Sequence, residues 1–354
     1  MTYISIIIPV RNEEKFIENC LKSVLQFEDL RTFEFEILII DGMSIDNTLK
    51  IVNKFKQNEP TIKYIENPEI IQATALNIGL KEAKGEWILR LDAHSEYPKN
   101  YLKILYETAL RTNADNTGGI VETLPYDTSY AASVVQALTT HKFGVGNSGF
   151  RVGMKEGPAD TVPFGFFKKS IFDKIGYFDE RLVRAQDYEF NRRILASGGK
   201  IWLNPKVCLK YYNQPNLFKF LHKQIAKEAP YNAYMWYLAP YTFAYRHAIT
   251  AVFASGILAG ILLAALFPFF LYLFIIIAGL YGLIAISSSF QQAIRFKKPA
   301  HALVLPFSFF LYHFLHGLGV LYGILMLLLH LAPVFHKKEP WKNAGRKRAF
   351  EKLI

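Results

Sequence analysis

The chain has 354 residues, a formal net charge of +11 and 51% hydrophobic residues, which is too long for one small domain. Its basic residues follow apolar runs instead of decorating a soluble reading surface, which argues against nucleic-acid binding. Two cysteines, Cys20 and Cys208, supply neither a disulfide framework nor a zinc site and suit a reducing compartment.

Up to residue 246, charged and apolar residues alternate as in a soluble protein. YISIIIPV (3–10) is a β-rich apolar run that predicts a buried strand. The following NEEKFIENCLKSVLQF places Phe16, Ile17, Cys20, Leu21, Val24 and Leu25 at helical spacing, with Asn12 as the expected cap and Glu13 and Glu14 in the first turn. FEILII (35–40) predicts a second strand, followed by Asp41-Gly42 and a helix carrying Leu49, Val52 and Phe55. IKYI (62–65) and TALNIGLKEA (74–83) form a third strand-helix unit, and WILRL (87–91) a fourth strand that ends in Asp92-Ala93-His94. Repeated units of this kind imply an α/β fold with a mostly parallel sheet covered by helices on both faces. Ligands in such folds sit at the carboxyl ends of the strands, where Pro9 to Asn12, Asp41 to Ser44 and Asp92 to His94 all fall. Neither GxGxxG nor GxxxxGK is present, so the phosphate cradles of dinucleotide oxidation and ATP hydrolysis are missing.

Beyond residue 246 apolar runs dominate. The stretches 247–267, 268–290 and 302–332 are each long enough to cross a hydrocarbon core of about 30 Å. The third contains Pro306, His313 and His316 and is expected to be tilted, broken or re-entrant. Residues 216–246 precede the spans with Leu217, Phe218, Leu221 and Ile225 among Lys219, Lys223 and Lys227, a basic amphipathic pattern that suits a membrane interface. Arg295, Lys297 and Lys298, then Lys337, Lys338, Lys342, Arg346, Lys347 and Arg348 in the tail 333–354, read as charges held at a cytoplasmic membrane face. The run Ile4–Ile8 is short and has no basic segment before it, so it is not read as a secretory leader. The front domain is therefore expected on the cytoplasmic side of an inner membrane, in a multi-pass protein. Three full crossings would carry the basic tail outside, so its side is left open.

IIIPVRNEE, EILIIDGMSIDNT, ALNIGLKEAKGEWILRLDAHS and FDERLVRAQDYEFNRRI, in this order over residues 3–215, resemble the signature of the family 2 glycosyltransferases with the GT-A nucleotide-sugar-binding, Rossmann-like fold. Together with the apolar spans, the chain is most similar to membrane-associated transferases of bacterial exopolysaccharide assembly, of the succinoglycan glucosyltransferase type. The resemblance implies a GT-A domain over 1–215, ahead of the interfacial segment, the transmembrane helical region 247–332 and the tail. It places Pro9, Val10, Arg11 and Glu13 around the base and ribose, and gives Asp41 to the base, expected to be uracil; the residues alone also allow Asp41 as a turn residue. The family's acidic triplet is Asp-x-Asp, whereas here Asp92 is followed by His94, which suits Mn²⁺ better than Mg²⁺. Asp92 would contact the sugar or ribose, with Asp92 and His94 as metal ligands; basic residues holding the diphosphate are the alternative.

The family's catalytic Glu-Asp motif reads Gln186-Asp187 here, which makes Asp187 the expected general base, with Glu189 as backup and Gln186 beside it on the acceptor side. Arg192 and Arg193 are read as surface charges, and Phe164, Phe166 and Phe167 as core, with stacking on a sugar face or lipid as the alternative. Gln224-x-x-Lys227 lacks the Arg-Trp of processive synthases, which favours single-sugar addition. The implied activity is inverting transfer of one sugar from a nucleotide donor, expected to be a UDP-sugar, to a polyprenyl-diphosphate-linked saccharide. The alternatives are a polyprenyl-phosphate sugar synthase and a non-catalytic sugar-binding membrane protein with a degenerate transferase domain.

Overall fold

The computed structural model describes residues 2–335, so the basic tail residues from Lys337 to Arg348 lie outside the described residues. In chain order the elements are β1 (Tyr3–Val10), α1 (Ile17–Leu25), β2 (Glu34–Asp41), α2 (Thr48–Asn58), β3 (Ile62–Glu66), α3 (Gln72–Glu82), β4 (Trp87–Arg90), β5 (Ser95–Glu96), α4 (Tyr101–Thr112), β6 (Asn116–Leu124) and α5 (Tyr130–Thr139). There follow α6 (Lys142–Val145), α7 (Gly149–Val152), β7 (Gly157–Pro158), β8 (Phe166–Lys168), α8 (Ser170–Ile175), α9 (Gln186–Ala196) and β9 (Ile201–Tyr212). The remainder is helical: α10 (Leu217–Lys223), a π-helical turn (Gln224–Glu228), α11 (Ala229–Leu238), α12 (Tyr245–Leu266), α13 (Pro268–Arg295) and α14 (His301–Leu328).

Two compact units result. Residues up to Glu122 with Gly153–Tyr211 form the first, and Thr123–Val152 with Tyr212–Phe335 the second, so 123–152, read from sequence within the domain 1–215, belong to the helical unit.

The first unit is built on a mixed sheet in the order β3-β2-β1-β4-β8-β6-β9-β5, with β7 on β9. β3, β2, β1 and β4 run parallel, register set by Ile6 opposite both Ile37 and Leu89, and the near-continuous burial of Ile4 to Ile8 and Ile37 to Ile40 reflects cover on both faces. β8 turns antiparallel against β4 and β6. Gly85 fits where β1 passes closest: a Cβ there would lie 2.5 Å from the Ser5 nitrogen. Beside it the buried Glu36 carboxylate accepts from Ser5 Oγ (2.8 Å), Lys84 N–H (2.7 Å) and Lys63 Nζ (2.7 Å), so a charge amid apolar strands is fully bonded.

Three expectations are corrected here. Asn12 does not cap α1, which opens at Ile17 after Phe16; Asn12 takes φ +55° and its Oδ1 accepts from Ile45 N–H at 2.9 Å, tying the loops after β1 and β2. Leu49 is half-exposed instead of core-facing. Arg193 is no surface charge: it is 1% exposed, paired with Glu189 one turn earlier, and donates to the carbonyls of Ile175 (3.0 Å) and Tyr177 (2.8 Å).

In the second unit α12, α13 and α14 are long and apolar enough to cross a membrane. α14 runs unbroken through Pro306, which sits in its second turn, so the third stretch is neither broken nor re-entrant in fold. Along α14, Gly317, Gly319 and Gly323 meet the backbone of Thr250, Ile225 and Pro230, where a Cβ would lie 2.0 to 2.9 Å from a carbonyl oxygen; these glycines bring helices into close approach. Leu221 and Phe220 of the basic segment pack with Val134, Leu138, Leu305 and Phe309, whereas Phe218 is exposed. His313 and His316 are buried and bonded through Nδ1 to Tyr281 Oη and Thr250 Oγ1, each at 2.9 Å, which satisfies polar groups inside an apolar bundle.

Because Arg193 is sealed in the first unit, Glu189→Ala removes the carboxylate that balances its buried charge and is expected to cost about 3–5 kcal/mol. Thermal unfolding of the full chain in detergent measures this, and an unchanged midpoint would show that the pair is replaceable.

Candidate active site

The parallel strands deliver three loops to one edge of the sheet. Val10 and Asp41 are register partners at the ends of β1 and β2, and Arg90 closes β4 opposite Ile7. Val10 and Asp41 are buried, Pro9 is half-buried and Arg11 is exposed, with its stem 3.4 Å from where a Cβ on Gly42 would lie. The loop after β1 is stitched to the loop after β2 by Asn12 N–H to Ser44 Oγ (2.9 Å) and Glu13 N–H to Thr48 Oγ1 (2.8 Å). Asp41 accepts from Ser44 N–H (3.0 Å), Ser44 Oγ and Tyr64 Oη (2.6 Å), an arrangement of donors around a buried carboxylate. Burial and the neighbouring Asp41 push the Tyr64 hydroxyl well above its ordinary pKa, which keeps it a donor.

Asp92 follows β4. Its Oδ1 accepts from Arg90 Nη2 (3.1 Å) and from Gln72 Nε2 (3.2 Å), while its backbone exchanges two hydrogen bonds with Tyr97 Oη (2.8 and 3.0 Å). Cys20, also near the Asp92 carbonyl, is buried, and its thiol is pushed far up by desolvation, which leaves it protonated. His94 lies against Glu13, Nδ1 to Oε1 at 3.2 Å. With a neutral ring, the carboxylate can only accept, so Nδ1 carries the proton and Nε2 the lone pair.

Asp187 lies in the first turn of α9, entered through Ala185 at φ +64°. Its side chain is 46% exposed, its Oδ1 accepts from Tyr188 N–H (2.9 Å), and its Oδ2 is 3.6 Å from Arg90 Nη1. Gln186 is buried and donates from Nε2 to Gln72 Oε1 at 2.7 Å. Glu189, in the same turn, is enclosed with Arg193 and is 1% exposed, so it is not presented at this edge.

Two residues that the sequence reading missed hold this arrangement together. Arg90 is 4% exposed, faces the Phe164 ring with 5.4 Å to its centroid, and touches both Asp92 and Asp187. Desolvation works against its charge, but Asp92 and Asp187 outweigh it, and its pKa is raised. Gln72 bridges Gln186 and Asp92. The signal for Arg90 was present in WILRL, because a charge inside a buried strand demands partners.

For a divalent cation, the donor set fits in type: a carboxylate at Asp92 and an imidazole at His94, its other nitrogen oriented by Glu13 as metal-binding histidines commonly are. Among the described residues no three His, Cys, Asp or Glu side chains form a closed cage, so most of the coordination would come from ligand oxygens and water.

The parallel half of the sheet thus ends in loops carrying Asp41, Asp92 and His94, and the second unit holds three helices apolar enough to cross a membrane. Residues 5–176 match the family model Glycosyl transferase family 2, and the chain carries that family's domain. Over 342 residues it is 29% identical to the dolichyl N-acetyl-alpha-D-glucosaminyl phosphate 3-beta-D-2,3-diacetamido-2,3-dideoxy-beta-D-glucuronosyltransferase of Methanococcus voltae, covering 92% of this chain and 98% of that protein. It is also 29% identical over 214 residues to the succinoglycan biosynthesis protein ExoA of Rhizobium meliloti, covering 60% of this chain and 64% of that protein. Among solved structures, the mannosyltransferase PcManGT from Pyrobaculum calidifontis, in complex with GDP-Man and Mn²⁺, shares the fold with a TM-score of 0.60 at 17% identity, covering 90% of this chain and 87% of that one.

Phe164 reaches Arg90 because Phe164 and Gly165 both take positive φ, +61° and +110°. A Cβ at Gly165 would lie 2.4 Å from the Phe167 ring, so Gly165→Ala is expected to cost about 1–3 kcal/mol. The thermal midpoint of the full chain reads this, and a midpoint equal to wild type would remove the steric requirement.

Proposed function

We propose that this glycosyltransferase moves a single sugar, with inversion, from a UDP-sugar to a polyprenyl-diphosphate-linked saccharide at the cytoplasmic face of a membrane. The observation that carries the reading is the convergence of Asp92 and Asp187 on one guanidinium: an acid after β4 and an acid opening α9 lie on either side of Arg90. Inversion requires a donor-side group and a base on opposite faces of the anomeric carbon, and a half-exposed carboxylate at the mouth of the site suits the second task.

In this reading Asp41, with Pro9, Val10, Arg11 and Glu13, receives the uridine, and Asp92 faces the ribose or sugar. Asp187 accepts the proton of the attacking acceptor hydroxyl as its oxygen bonds to the anomeric carbon and the bond to the nucleoside diphosphate breaks. A divalent cation held by Asp92 and His94 would neutralise the diphosphate. Glu13 fixes the His94 tautomer for that role. A lipid-linked saccharide acceptor is supported by the names of the two relatives, one acting on a dolichyl-linked sugar phosphate and the other in succinoglycan biosynthesis. Three helices suited to a membrane keep such an acceptor's lipid within reach of the same chain.

Asp187→Asn is expected to lower acceptor-dependent UDP release by about 10²–10⁴-fold while UDP binding is retained. The measurement uses purified protein in detergent with Mn²⁺, a panel of UDP-sugars and a polyprenyl-diphosphate-linked N-acetylhexosamine; full turnover by the variant removes Asp187 from the chemistry. Glu13→Gln is expected to raise the Mn²⁺ concentration for half-maximal UDP binding by about 10–100-fold. An unaltered Mn²⁺ dependence would detach His94 from the metal.

A further inference from the structure

Five residues form a closed polar ring at the end of β4. Gln186 Nε2 donates to Gln72 Oε1 (2.7 Å), Gln72 Nε2 donates to Asp92 Oδ1 (3.2 Å), and Arg90 Nη2 donates to the same oxygen (3.1 Å). Arg90 Nη1 then reaches Asp187 Oδ2 (3.6 Å), and the ring closes through the peptide bond between Gln186 and Asp187. Each link comes from a different part of the chain: the start of α3, the end of β4 and the start of α9.

We infer that Arg90 is a positioning residue for the transfer step, holding the Asp187 carboxylate at a fixed place relative to Asp92. This rests on the reading of Asp187 as the base. Asp187 is half-exposed, and the side-chain hydrogen bond shown for it is the local one from Tyr188 N–H, so among these contacts the ion pair with Arg90 is what ties its Oδ2 to the site. Arg90, by contrast, is enclosed. Its N–H donates to Gly165 O (3.0 Å), its guanidinium faces Phe164, and it is 4% exposed. Arg90 Nε is buried with no hydrogen-bond partner among the described residues, so the head group is oriented by its two carboxylates at the expense of its Nε–H.

The ring also gives a physical reason for Gln at 186, where related sequences were expected to carry Glu. Gln186 donates to Gln72 Oε1, which leaves the Gln72 amide nitrogen to face Asp92. A carboxylate at 186 would call for the Gln72 amide to turn over, and its oxygen would then oppose Asp92 Oδ1. An amide at 186 therefore fits an Asp92 that is held by donors from both Gln72 and Arg90.

The test compares Arg90→Met, Gln72→Leu and Asp187→Asn in the full chain in detergent, using the UDP-sugar and polyprenyl-linked acceptor that give the fastest wild-type UDP release, with UDP binding measured by calorimetry. Arg90→Met is expected to lower kcat by about 10²-fold, in the range of a misplaced acid-base group, while donor KM and the Kd for UDP stay within about threefold. Gln72→Leu, which cuts the ring while leaving Arg90 in place, is expected to show the same split with a loss of about tenfold. The inference is overturned if Arg90→Met keeps its kcat, or if UDP affinity falls by the same factor as the rate. Should Arg90→Met fail to fold, an unaltered kcat in Gln72→Leu overturns it equally. Full turnover by Asp187→Asn would sink the base assignment itself; an inactive Asp187→Asn beside an active Arg90→Met sinks the positioning role alone.

Discussion

The burial of one positive charge at the end of β4 organises this site. A guanidinium with 4% of its surface exposed is tolerable only if its charge is matched and most of its donors are used. Arg90 has its charge matched by Asp92 on its own strand end and Asp187 from α9, and an aromatic face at Phe164, while its Nε stays unpartnered among the described residues. The backbone then adapts around it: Phe164 and Gly165 enter the left-handed region, and Ala185 does the same where α9 begins. Positive φ at the non-glycine residues Phe164 and Ala185 is local backbone strain held beside this site.

The parallel half of the sheet was legible in the sequence because strands covered on both faces must be apolar throughout. YISIIIPV, FEILII and WILRL have that property, and they are β1, β2 and β4. The antiparallel half was not read. β6 is NTGGIVETL and β9 is IWLNPKVCLKYY, mixtures of apolar, polar and turn-forming residues, and β5, β7 and β8 are three residues long or less. No periodicity can declare itself over so few positions. Asp41 and Asp92 stand out in the sequence at strand ends and Asp187 through the resemblance to the family's Glu-Asp motif, whereas Gln72 resembles any polar helix-opening residue. The Glu189 and Arg193 pair, spaced one turn apart, has the pattern of a solvated helix face, and only the packing of α9 shows that it is enclosed.

The helical unit follows a different rule. Between apolar helices there is little hydrophobic gain from contact, so association depends on close backbone approach and on polar groups that find partners. The glycines of α14 supply the first, and His313 with Tyr281 and His316 with Thr250 supply the second. His301 does the same toward Ser133 Oγ at 3.1 Å, and Gln292 donates to the Ala137 carbonyl, which ties the segment 123–152 to these helices. His313 and His316 are thus engaged in holding the bundle.

Charge supports the place of a cation in the proposed chemistry. Asp92, Asp187 and Glu13 bring three formal negative charges to the site and Arg90 one positive, a balance of −2 with His94 neutral. A nucleoside diphosphate adds further negative charge, and Arg90 is already divided between two carboxylates at 3.1 and 3.6 Å. Its guanidinium therefore has little capacity left for the leaving group. Arg11 is exposed on the loop after β1 and Lys63 is committed to Glu36, on the far side of the strands from their carboxyl ends. In the proposed chemistry, Asp92 and His94 would hold a divalent cation that offsets the negative charge of the departing diphosphate.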